Sequence, residues 1–211
     1  MLNSSLKKKT DFLRQFVPEK SGLLLLSQLS VFPGKIRIAK PRKTKLGDFR
    51  AGKIPAQTKI SVNSDLNQFA FLITLLHEVA HYNTWLEFKR LKPPHGKEWK
   101  SNFKTLLMPH IELKVFPSEL ESALRAHLIS PSASSCTDEK LFKALDKYNL
   151  KCDLEFVSEL PEGSVFSFQN RGNFKVKEKL RKRIKCVHLQ SNKCYLFQPI
   201  TKVSLQKDLL H

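Results

Sequence analysis

Residues 63–81 read NSDLNQFAFLITLLHEVAH, and the last five of them decide how the rest of the chain is read. His77-Glu-Val-Ala-His81 sets two histidines four apart. On a helix, positions i and i+4 lie one above the other, so both imidazoles can reach one metal ion. Glu78 is offset around the helix, where it meets a metal-bound water instead of the metal. A metal that acidifies water, beside a carboxylate that takes its proton, is what a hydrolase needs. Phe69, Leu72, Ile73, Leu76, Val79 and Ala80 recur at helical spacing. They predict a buried helix from about residue 66 to 91, with Asn63-Ser64-Asp65 as its cap and Pro93-Pro94 as its stop. A histidine–glutamate pair on a buried helix needs partners, and a metal ion supplies them.

Catalytic zinc usually takes three protein ligands and leaves one position open. His95 lies 14 residues beyond His81, in Pro93-Pro-His-Gly-Lys-Glu-Trp99. A chain that turns after the helix brings it back to the metal. Gly96 suits a tight backbone there, and Trp99 can pack beneath the site. Thr84 and Glu87 occupy the positions that H-E-x-x-H-x-x-G-x-x-H reserves for glycine and a third histidine, which excludes that form. Glu98, Glu119 and His110 stand as rivals to His95 for the third position.

Outward from the motif, the 211 residues read as an α+β protein with two parts. Residues 5–32 look helical, with Pro18 dividing two helices. Alternation over 35–40, 44–50 and 58–62 predicts strands, with turns at Gly47-Asp48 and around 52–55. Helices are expected from Gly96 to Met108, over 117–130 and over 137–148. After residue 150 the pattern changes to short alternating segments at 165–168, 174–176, 184–189 and 195–197. The expected division is therefore 1–150, an α+β metal-binding domain, and 151–211, a small antiparallel β module. Cys136, Cys152, Cys186 and Cys194 form no C-x-x-C pair, so zinc-ribbon spacing is missing. Cys186 and Cys194 are expected to face each other across a hairpin. The apolar run Gly22-Leu-Leu-Leu-Leu26 is far shorter than the roughly 20 residues of a spanning helix. No h-region follows the basic start, so the expected location is the cytoplasm, with no membrane partner.

The combination His77-Glu-Val-Ala-His81 with His95-Gly-Lys-Glu-Trp99 resembles the SprT-like metalloprotease domain, the family that includes Spartan. Arg42-Lys-Thr-Lys-Leu-Gly-Asp-Phe-Arg50 and Ile60-Ser-Val-Asn-Ser-Asp-Leu-Asn67 resemble the segments before its active-site helix, and the likeness spans about residues 8–130. The resemblance implies a zincin-like fold, with a short β-sheet packed on the active-site helix. It implies one zinc held by His77, His81 and His95, with Glu78 as catalytic base and a protein as substrate. Spartan-like members cleave proteins crosslinked to DNA. Many members carry a cysteine zinc ribbon after this domain; here the β module stands in its place without paired cysteines, as if a ribbon-type sheet had lost its metal.

The net charge of +18 suits a polyanionic partner, DNA above all, and allows association with a nucleoid. The densest run comprises Arg171, Lys175, Lys177, Lys179, Arg181, Lys182, Arg183 and Lys185, opposed by Glu178. A second run holds Arg37, Lys40, Arg42, Lys43, Lys45, Arg50 and Lys53. Contacts of this kind give affinity without sequence choice. Phe166, Phe168 and Phe174 could stack bases if exposed, although their alternation favours a core. The leading expectation is a zinc endopeptidase acting near DNA. Its rivals are a nucleic-acid-binding protein whose zinc only holds the fold, and a zinc hydrolase of a non-peptide substrate.

Overall fold

The computed structural model describes residues 12–42, 44–89, 92–129, 131, 138–150 and 153–206. The chain divides into two compact units, Met1–Asn149 and Leu150–His211, each of mixed or β character as follows. Residues 5–11 of the first expected helix lie outside the described part. The described helical residues of that segment are 12 and 13; turns carry the chain on to Pro18, whose carbonyl accepts from the Ser21 hydroxyl at 2.6 Å.

The first unit is α+β, built on one small sheet and helices packed around it. Helix α1 (Gly22–Leu29) precedes strands β1 (Lys35–Ala39), β2 (Gly47–Arg50) and β3 (Lys59–Asn63). Their spatial order is β1-β3-β2, with β1 parallel to β3 and β2 antiparallel to it, so β2 is an edge. Then follow α2 (Gln68–Phe88), α3 (Lys97–Glu112), α4 (Ser118–Ile129) and α5 (Glu139–Asp146). Helix α2 is apolar nearly all round, and a helix of that kind has to be covered on every side. Residues Phe71, Leu72, Leu75, Leu76, Val79 and Ala80 are fully buried, with β2 and β3 against one side and α3 against another. The facing side of α3 supplies Trp99, Phe103, Leu107 and Ile111 to the same core.

Helix α2 begins later and ends earlier than its sequence pattern suggests. Asn67, not the 63–65 cluster, is its cap, accepting from the amides of Phe69 at 3.1 Å and Ala70 at 3.0 Å. Asn63 instead completes β3 opposite Ala39, and its buried amide donates to the carbonyls of Arg42 and Lys45. The helix stops at Phe88, because Lys89 turns into the left-handed region at φ 55° before the prolines are reached. Gly47-Asp48 is no turn; it opens β2, for a reason that the site makes clear. Helix α3 runs past Met108 to Glu112 in spite of Pro109, since His110 and Ile111 beyond it are buried in the core.

The second unit is a six-stranded antiparallel sheet. It contains β4 (Glu155–Phe156), β5 (Val165–Ser167), β6 (Asn173–Lys179), β7 (Ile184–His188), β8 (Cys194–Phe197) and β9 (Lys202–Leu205), ordered β4-β9-β5-β6-β7-β8. Phe166, Phe174, Val176, Ile184, Cys186 and Phe197 fill its core, and Phe168 packs against them. Phe166, Phe174 and Phe197 are buried and hold the sheet together, whereas Phe168 is half-buried. Cys186 and Cys194 do not face each other. Cys186 pairs with Tyr195, and Cys194 with Val187. Neighbouring register pairs point to opposite faces, so Cys186 is buried and Cys194 exposed, and both are free thiols. Cys136 and Cys152 lie outside the described residues. Among the described residues, no helix is long and apolar enough to cross a membrane.

Candidate metal centre

His77 and His81 stand one turn apart on α2, on the side that faces β2 and the start of α3. His95 reaches them from a tight turn. The Gly96 amide donates to the Pro93 carbonyl at 3.1 Å, Pro94 supplies the fixed φ of the second position, and His95 takes the third with φ 60°. A non-glycine residue there is strained by roughly 1 kcal/mol or more, and such outliers gather at functional sites. The strain aims the imidazole back at α2. The three Nε2 atoms lie 3.2 Å (His77–His81), 3.0 Å (His81–His95) and 3.1 Å (His77–His95) apart.

That near-equilateral triangle of ring nitrogens is a group that could hold a metal ion, and it is the one such group among the described residues. A tetrahedral ion with nitrogens at about 2.0–2.1 Å would set them roughly 3.4 Å apart, so the triangle is only slightly tight. The rival ligands are engaged elsewhere. Glu98 pairs with Lys92 at 2.8 Å, Glu119 with Lys147, and His110 is buried with its Nε2 on Gln28 at 2.9 Å.

Beneath the triangle lies Trp99, fully buried, with its ring centre 4.6, 5.4 and 4.7 Å from those of His77, His81 and His95. Phe103 stacks under Trp99 at 5.1 Å, and Phe49 from β2 lies parallel to His81. This apolar bed removes water from one side of the site. Burial first, then the neighbouring imidazoles, hold His77 down to about 2; the same two causes hold His81 down to about 4. His95 is lowered by burial alone. All three are therefore neutral near pH 7, the form that binds metal.

Glu78 points into the same cavity, of about 470 Å³, which β2, α2 and the Pro94–His95 turn enclose. Its side chain is buried, and burial together with the Asp48 carboxylate pushes it up to about 8, against Arg42 and Lys45. Gly47 explains why β2 begins where it does. A Cβ at that position would overlap the Glu78 carboxylate and come within 2.8 Å of its Cγ and of the Thr74 methyl. A glycine inside a strand often marks such a close approach, and that is the signal by which the sequence could have shown Gly47 as part of the site. Asp48 also lines the cavity, held by Lys45 at 2.7 Å and Arg50 at 2.8 Å. Arg42 is turned onto Asn63 and Ser61, so this basic stretch is no continuous cationic face; Lys43 lies outside the described residues.

His127, on α4, lines the cavity too, and no sequence signal marks it. Its Nδ1 lies 2.9 Å from Oδ2 of Asp138, the cap of α5. The pair is 11 residues apart on separate elements, and no helical or strand period links them.

In the second unit, β6 and β7 carry most of the other basic run. Lys175, Lys177 and Lys179 are exposed along β6, and Arg181, Lys182 and Arg183 crowd its turn into β7. Lys185 pairs with Glu178 at 3.7 Å, and Lys179 donates to the Ser158 carbonyl at 2.9 Å. Arg171 stands apart from the turn, at the far end of β6, whose 7 residues span roughly 20 Å.

Residues 27–116 match the model of the SprT-like family. Over that segment, which holds the sheet, α2, the turn bearing His95 and all of α3, the likeness read from the motifs is shown. No curated protein and no solved structure matches the chain.

Proposed function

We propose that this chain, SprT-like over residues 27–116, is a zinc-dependent endopeptidase that acts on proteins on or near DNA. The observation that carries the reading is the convergence of three histidine Nε2 atoms within 3.2 Å of one another, beside a buried glutamate in the same cavity. Three neutral imidazoles facing one cavity would form a donor set that suits a catalytic zinc ion. When bound, the ion lowers the pKa of water and polarises a carbonyl.

The chain's own residues then do the following. Water attacks the carbonyl carbon of the scissile amide. A C–O bond forms, the carbonyl π pair moves onto oxygen, and Glu78 takes the proton that water gives up. When the carbonyl re-forms, the C–N bond breaks, and Glu78 hands the proton to the amine nitrogen. Strand β2 suits an extended peptide. Its outer edge has no strand partner among the described residues, and Gly47, Asp48 and Phe49 line the cavity. Backbone pairing along that edge would draw the substrate across Glu78. The assay is cleavage of an unfolded protein by the zinc-loaded chain, with and without DNA. Cleavage that a chelator stops and zinc restores is expected. A loaded chain that cleaves no protein under any of these conditions would leave a metal-binding nucleic-acid protein in place of an enzyme.

Glu78 gives the metal a pH signature. Its carboxyl holds a proton until about pH 8 in the metal-free protein, whereas a nearby cation favours the charged form. Zinc uptake at pH 7 should therefore release roughly one proton, although the three histidines are already neutral. Calorimetry in buffers of different ionisation enthalpy measures this. Release of the same size from Glu78→Gln would refute the assignment.

The β6–β7 turn is the proposed DNA contact, and a cytoplasmic setting near the nucleoid goes with it. If Lys175, Lys177, Arg181, Lys182 and Arg183 each neutralise a phosphate, the log–log salt slope should be roughly −4 to −5. Changing Arg181, Lys182 and Arg183 together to alanine should make it shallower by about 3. Absence of duplex or single-strand binding at low salt would end the DNA reading.

A further inference from the structure

The peptidase chemistry above uses one histidine fewer than the cavity contains. His127 is buried, at 3% side-chain exposure, yet it lines the cavity with His77 and Glu78. Its Nδ1 is fixed by Asp138 at 2.9 Å. Asp138 is itself fixed, because its other oxygen accepts from the Leu141 amide at 3.2 Å as the cap of α5. Burial works to raise Asp138, but the hydrogen bonds from His127 and the Leu141 amide outweigh it and keep the carboxylate ionised. Asp138 is not among the cavity-lining residues, so the Nδ1 edge of the ring points away from the cavity and the Nε2 edge remains for it. Among the described residues, Nε2 has no hydrogen-bond partner. The edge of the His127 ring meets Phe103, which stacks on the same Trp99 that supports the three metal-site imidazoles. The ring is thus held rigidly by an anion on one side and by the site's aromatic bed on another.

We infer that His127 is a second catalytic residue of this site, donating from Nε2 to the substrate's carbonyl oxygen as negative charge builds there, with Asp138 as its positioning residue. The inference rests on the peptidase reading. An imidazole beside a fixed carboxylate can carry protons on both nitrogens. A charge-assisted donor in a water-poor cavity stabilises an oxyanion far more than the neutral carbonyl that precedes it. A purely structural pair, tying α4 to the cap of α5, would need only Nδ1 and would have no use for a second ring nitrogen in a cavity-lining residue.

His127→Asn separates the two roles, since its amide nitrogen replaces Nδ1 on Asp138 while nothing replaces Nε2. Zinc-loaded wild type, His127→Asn and Asp138→Asn are titrated with a phosphinic peptide, whose tetrahedral oxygens imitate the attacked carbonyl. Their turnover on a peptide substrate is measured alongside. His127→Asn should keep one zinc, bind the phosphinic peptide at least tenfold more weakly, and lose about 10²–10³ in kcat with a smaller change in KM. Asp138→Asn should lower kcat while changing KM less, because the ring loses the carboxylate that fixes its orientation. If His127→Asn does not fold, the wild type still answers: a His127 Nε2–H resonance should move downfield when the phosphinic peptide binds. Wild-type phosphinate affinity in a folded His127→Asn, or no response of that resonance, would overturn the inference. The affinities need no turnover, so absent hydrolysis would fail the peptidase reading alone.

Discussion

Glu78→Gln should keep the metal and lower peptide hydrolysis by about 10²–10⁴-fold. The substitution is nearly isosteric, so the close approach of Gly47 and Thr74 to this side chain is preserved. The three imidazoles are untouched, and the amide cannot take a proton from water. Loss of metal together with activity would instead make Glu78 a ligand, and retained activity would refute its role as base. The same variant should change the stability of the metal-free protein in a pH-dependent way. Burial raises Glu78 from its ordinary 4.5 to about 8 in the folded state. Below about pH 4.5 the group is protonated in both folded and unfolded chains and favours neither. Between there and pH 8 the unfolded chain has released its proton while the folded one still holds it, so stability is lost as pH rises. Glutamine removes that loss. Metal-free Glu78→Gln should melt above metal-free wild type at pH 8, and the gap should close as pH falls towards 4.5. Thermal melts in chelator across that range check it, and a gap that widens towards acid would contradict the sign.

What the sequence made legible here follows from how local each signal is. Two histidines four apart need only one helix to converge, and their Nε2 atoms do lie 3.2 Å apart. The core face of α2 was readable because Phe69, Leu72, Ile73, Leu76, Val79 and Ala80 sit at one helix's own spacing, and all six are buried. The ends of that helix were less readable. Asn63 and Asn67 are both good caps by composition, and the choice between them belongs to strand pairing, which commits Asn63 to Ala39. Gly47 was misread as a turn because glycine serves turns and close contacts alike, and the contact is with a carboxylate 31 positions away. Strands β4 and β9 went unseen: one has 2 residues, the other 4, and they are strands only because they pair with each other and with β5. The pair His127–Asp138 was hidden for the same reason. Each residue looks ordinary on its own element, and only the packing of α4 against α5 makes them a unit.

His95 is where local and non-local signals meet, and its removal should have the largest effect on the metal. Wild type, once reconstituted, is expected to hold one zinc per chain. His95→Ala and His95→Gly should both lose tight binding, by well over 100-fold, since removing even an outer partner of a ligand costs about 10–100-fold. The two variants should differ once metal is absent. Position 95 sits at φ 60°, a conformation that glycine takes freely and alanine resists. Metal-free His95→Gly should therefore be the more stable by about 1 kcal/mol, which a denaturant titration can resolve. That order would show that the backbone at 95 is strained to aim the imidazole, and that metal binding holds the strain in place. Undiminished zinc in both variants would move the third ligand to another residue, with Glu98, three positions on, the first to change. Two zinc ions in the wild type would require a second centre. The second unit offers poor material for one. Its Cys186 thiol is buried and pushed up to about 12, and Cys194 points to the opposite face of the sheet. A thiol kept protonated makes a poor ligand, so the expected stoichiometry is one, and it should fall to zero with His95.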